Sequence, residues 1–228
     1  MGKRKVGIII LVIVVLSAIV FGIYLANHEC ENEDPLTAPL SRDMLVEAKP
    51  IIYLYPEEEQ EVKITLGKPE NLTCTYPKYE DSWNVIAKPN GDLIDINTGR
   101  NLYALYWEGL DSNAEVKKDG FVIKGEDSIK FLEEKLEILG LNEREAEEFI
   151  VYWLPKLEAN KYNYIRFETR EEIEEDMPLV IEPVPTTVIR IVMNFKGLDE
   201  YMEVEEQELV APVREGFTVV EWGGTEIK

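Results

Sequence analysis

The sequence predicts an α+β domain, a mostly antiparallel β-sheet or sandwich with two helices inserted mid-chain, preceded by one transmembrane helix. Three observations carry this. The run Val6–Ala26 contains no charged residue. Short β-rich runs bounded by turn residues open and close the rest of the chain. Between them lie two stretches whose apolar residues recur at helical spacing.

The apolar run VGIIILVIVVLSAIVFGIYLA would span roughly 31 Å as a helix, the thickness of a bilayer's hydrocarbon core. A helix lets a single segment satisfy its backbone groups in lipid. Lys3, Arg4 and Lys5 precede it, and positive charge stays on the cytoplasmic side. The expected organisation is therefore a cytoplasmic tail at 1–5, an anchor at 6–26, a tether at 27–48 and an extracytoplasmic domain at 49–228. Tyr24 falls at the expected outer interface. A cleaved signal peptide is the competing reading. The run is longer than its usual 7–15 apolar residues, and Tyr24-Leu25-Ala26 lacks the small-residue cleavage pattern. Asn27-His28-Glu29 before Cys30 likewise lacks the small residues of a lipobox.

Strands are expected at Pro50–Tyr55, Glu61–Leu66, Leu72–Tyr76, Trp83–Ala87, Asp92–Ile96 and Asn101–Trp107. Pro89-Asn90-Gly91 and Asn97-Thr98-Gly99 are turns, and the series reads as a meander. The first helix is expected over Asp127–Leu139, with Ile129, Leu132, Leu136 and Leu139 on one stripe and Gly140 at its end. The second begins at Asn142, with Glu145 three residues on, and ends before Pro155. Strands resume at Tyr162–Phe167, Leu179–Ile181, Val188–Phe195 and Gly216–Trp222.

The chain carries a formal charge of -21, and because residues 1–27 contribute +3, the remainder stands near -24. Such a surface repels phosphate backbones, so nucleic acid is excluded as a partner. The acidic runs Glu57–Glu61, Glu171–Asp176 and Glu203–Glu208 read as solvated loops and faces; the sharper alternative is binding of a cation or basic partner. The bilayer is the expected partner of residues 6–26.

The strings KPIIYLYP at Lys49–Pro56, TYPKY at Thr75–Tyr79, LYALYWEG at Leu102–Gly109, EFIVYWLPKLEANKYN at Glu148–Asn163 and GFTVVEWGG at Gly216–Gly224 resemble a family of uncharacterised bacterial envelope proteins. The resemblance implies that residues 49–224 form one unit. It carries over no catalytic residue, because that family has no established activity.

Absences narrow the chemistry. His28 is the only histidine and lies in the tether, which removes Ser-His-Asp, Cys-His and histidine-rich metal sites from the domain. Cys30 and Cys74 are the only cysteines, so no structural zinc site is expected, and no cofactor motif is present. Carboxylates remain. Glycoside hydrolysis needs two of them about 5–10 Å apart. Glu108 and Glu221, each beside a tryptophan, are the candidates. Strand alternation places Glu221 with Phe217 and Val219, and Arg190 is its expected partner in a buried ion pair that fixes strand register. Trp83, Trp107 and Trp222 are candidates for a sugar-stacking platform, with core burial as the alternative. Asp95-Ile96-Asn97-Thr98-Gly99 has oxygen side chains at alternate positions but lacks the rest of a calcium loop, so a hairpin turn is expected there. Two functional classes follow: an envelope binding or scaffolding module, or a carboxylate-dependent hydrolase of wall glycan.

Overall fold

The computed structural model describes residues 45–111 and 114–228; the predicted anchor at 6–26 lies outside them. Among the described residues no helix is long and apolar enough to cross a membrane. Residues Met44–Lys228 form one compact unit.

Two β-sheets and three α-helices build it. The strands are β1 (Leu45–Tyr55), β2 (Gln60–Leu66), β3 (Leu72–Tyr76), β4 (Trp83–Ala87), β5 (Leu93–Asp95), β6 (Asn101–Leu102), β7 (Leu105–Asp111), β8 (Asp119–Lys124), β9 (Tyr162–Phe167), β10 (Leu179–Glu182), β11 (Thr187–Leu198), β12 (Glu205–Glu206) and β13 (Thr218–Glu226). The helices are α1 (Ser128–Ile138), α2 (Glu143–Glu158) and α3 (Arg170–Asp176). The larger sheet runs β12-β8-β9-β11-β13-β1-β7-β3, and the smaller β10-β2-β4-β5-β6. Pairing is antiparallel except for β11 with β13 and β12 with β8.

The early strands do not form one continuous meander. β1, β3 and β7 join the larger sheet, whereas β2, β4, β5 and β6 build the smaller one. The expected strand at Asn101–Trp107 breaks into β6 and β7 at this switch between sheets.

β1 and β13 are apolar on both faces because both faces are covered. Ile51, Tyr53, Val220 and Trp222 pack toward α1 and α2, with Phe131, Leu136, Phe149 and Trp153. Ile52, Leu54 and Val219 pack the other way, against Val62, Ile64 and Val85 of the smaller sheet. Each fully buried side chain of this size contributes about 1.5–3 kcal/mol relative to exposure.

α2 starts where the sequence indicates. Asn142 Oδ1 accepts from the Glu145 amide at 2.9 Å, and Glu145 Oε2 accepts from the Asn142 amide at 2.9 Å. The helix does not end before Pro155 but continues to Glu158. Proline removes the bond to the carbonyl four residues earlier. That residue is Val151, 69% exposed, on the solvent side of the helix where water can serve its carbonyl. β8 and α3 had no counterpart among the expected elements. α3 occupies the acidic run Glu171–Asp176 and buries only one apolar residue, Ile173.

Candidate functional site

The parallel register of β11 and β13 sets Arg190 beside Glu221, and antiparallel β1 puts Ile52 on Glu221's other side. Alternation along β13 sends Glu221 toward the smaller sheet with Val219. There Arg190 Nε donates to Glu221 Oε2 at 2.5 Å, and Trp107 Nε1 donates to Oε1 at 2.9 Å. Both carboxylate oxygens are thus engaged. Arg190 also donates to the Met177 carbonyl at 2.9 Å and pairs with Glu174 of α3 at 3.2 Å. The Arg190 and Glu221 side chains are each 1% exposed. A buried carboxylate with a charged donor on one oxygen and an indole on the other holds strands together, and solvent and substrate have no path to it.

Glu108 lies on the opposite face of the same sheet. Trp107 points toward the smaller sheet, so its neighbours Tyr106 and Glu108 point away from it. Glu108 is half-buried and hydrogen-bonded to Tyr106; burial first, then this carboxylate, push the Tyr106 phenol above its ordinary range. The two candidate acids therefore face away from each other across a β-sheet, an arrangement that cannot flank one glycosidic bond.

The tryptophans form no exposed platform. Trp83, Trp107 and Trp222 are 3%, 1% and 0% exposed. Trp83 donates to the Pro77 carbonyl at 2.9 Å and meets Tyr79 edge-on. Trp222 packs against Phe149, with Lys49 above its ring. Their indoles fill the core, where their large apolar area is best spent. The Asp95 loop is a turn: Asp95 Oδ1 accepts from the Asn97 amide at 2.9 Å and Oδ2 from the Thr98 hydroxyl at 2.7 Å. No group of potential metal ligands gathers among the described residues.

Two further charged clusters emerge from the fold. Arg166, 5% exposed, donates to Asp119 at 3.2 Å and to Glu172 at 2.9 Å, and Lys117 also pairs with Glu172. Burial alone would raise the Glu172 carboxyl. Donation from Arg166, Lys117 and the Thr169 amide outweighs it and holds the group at about 2. Glu145, fully buried in the capping box of α2, pairs with Arg214 from the segment before β13. Thr169-x-x-Glu172 is itself a capping-box pattern legible in the sequence, whereas the Arg214–Glu145 pair spans 69 residues and has no local signal.

Comparison with protein-family models, with curated proteins and with solved structures returned no match.

Proposed function

We propose that this protein is a membrane-anchored binding or scaffolding module of the cell envelope, with its acidic domain outside the cytoplasm and no catalytic role. The observation that carries this reading is the disposition of the two candidate acids. Glu221 is closed off by Arg190 and Trp107, and Glu108 stands on the other face of the sheet. A hydrolase working through two carboxylates needs both at one open cleft. The uncharged run at 6–26 with Lys3, Arg4 and Lys5 before it supports the anchor and its orientation. The lack of histidine beyond His28 supports the absence of a nucleophile–base pair.

The test is co-sedimentation of the full chain, in detergent micelles, with isolated envelope material. Saturable retention of the chain, with no change in the sedimented material, supports a binding module. Solubilisation of the material by the chain overturns the reading.

A further inference from the structure

The outer edge of the larger sheet is open where α1 runs beside it. β12 pairs with β8 only at Asp119 and Gly120. The carbonyl of Lys118, just before β8, accepts from the Glu205 amide at 3.0 Å and the Gly120 carbonyl from the Gln207 amide at 3.3 Å, so alternate residues along this stretch direct their polar groups to this edge. By the same alternation Val122 directs its N–H and C=O there, past the last residue that β12 covers. A trough of about 510 Å³ lies against this stretch. Phe121 and Phe131 form its apolar floor, α1 one wall, and Tyr201 and Val204 the other.

The charges of the trough are unequal. Lys135 is committed: it pairs with Glu134 at 2.9 Å and its ammonium lies over the rings of Phe121 and Phe131, 5.0 and 5.9 Å from their centroids. Asp127 and Glu206 then stand against Lys130 alone, and Glu206 belongs to the acidic run Glu203–Glu208.

We propose that this trough takes an extended, basic segment of a partner protein, added as a strand along β8 with an apolar side chain on the Phe121–Phe131 floor. An open strand edge is a template for main-chain pairing, and a helix alongside it supplies a wall for alternate side chains. Charge selects the partner. A second copy of this chain brings the same excess of carboxylates and is repelled, whereas a lysine- or arginine-rich segment is attracted. The proposal rests on the reading of the domain as a binding module and names its partner class.

The probe is a fluorescent heptapeptide, Arg-Val-Lys-Val-Arg-Val-Lys, titrated into the full chain in detergent micelles and followed by polarisation. Its fully N-methylated form keeps the charge but has no backbone donors, and is expected to bind at least tenfold more weakly. Val122→Pro removes a donor from the outer edge without touching the ladder to β9, and Glu206→Lys reverses a charge of the trough. Each should weaken binding at least fivefold, with melting checked for both. Glu206→Lys should also strengthen binding of a heptapeptide with glutamate in place of every lysine and arginine. Failure of the parent peptide to bind overturns the proposal. So does equal binding of the N-methylated or glutamate peptide to the wild-type chain, or indifference to both substitutions. The same preparation is assayed for cleavage of wall glycan. Absent peptide binding without cleavage overturns the trough alone, whereas cleavage overturns the module reading itself.

Discussion

Glu221→Ala removes the shared acceptor of two buried donors. Arg190 loses its shortest ion pair and retains Glu174 and the Met177 carbonyl, while Trp107 Nε1 is left without the oxygen it faces at 2.9 Å. Breaking a buried pair from one side costs on the order of 3–5 kcal/mol, because the remaining charge stays buried and under-compensated. For a domain of this size that corresponds to a fall in Tm of roughly 6–20 °C. Glu221→Gln keeps the volume and one acceptor, but its amide NH₂ must face either Arg190 or Trp107, donor against donor. It should cost less, about 1–3 kcal/mol, the price of one unsatisfied buried group. Thermal and urea unfolding of the full chain in detergent measure both variants. The expected order is wild type, then Glu221→Gln, then Glu221→Ala. If neither variant melts below wild type, Glu221 does not hold β13 to β11. A rise in stability for Glu221→Gln would instead mark it as an active-site acid held at a cost to stability.

Three other outcomes are expected. Glu172, held at about 2 against an unfolded value near 4.5, adds up to about 3 kcal/mol that is complete above its unfolded pKa and disappears as pH falls from about 4.5 toward 2. Glu172→Gln should therefore lower the urea midpoint at pH 7, and by roughly a quarter as much at pH 2.5. Trp107→Phe keeps most of the buried ring but deprives Glu221 of one donor, and should cost about 1–3 kcal/mol by the same unfolding measurement. Protease added to intact cells, with any outer barrier opened, should digest residues 45–228 while sparing a short N-terminal fragment; full protection would contradict the anchor's orientation.

Where local physics suffices, the sequence announces the fold. The period-2 runs of β2 and β4, the helical stripes of α1 and α2, and the capping box at Asn142 all depend on residues a few positions apart. What was missed depends on distant partners. The ladder of β8 is built by β9, about forty residues on. α3 reads as a solvated acidic run because its acids look alike in sequence, yet Glu172 and Glu174 face Arg166 and Arg190 from other strands. Pro155 reads as a stop because the exposure of Val151 is a tertiary fact. The site divides the same way. Alternation along β13 is enough to predict a buried Glu221, and Arg190 follows from its place among the apolar residues of β11. That Trp107 completes the set of donors to Glu221, and that Glu108 faces the opposite way, needs the register of β7 between β1 and β3.

The most direct test of the central claim is reducing-end release from purified wall glycan by the full chain, compared among wild type, Glu108→Gln and Glu221→Gln. A non-catalytic module predicts no release above background by any of the three. Release by wild type that either substitution abolishes would contradict it.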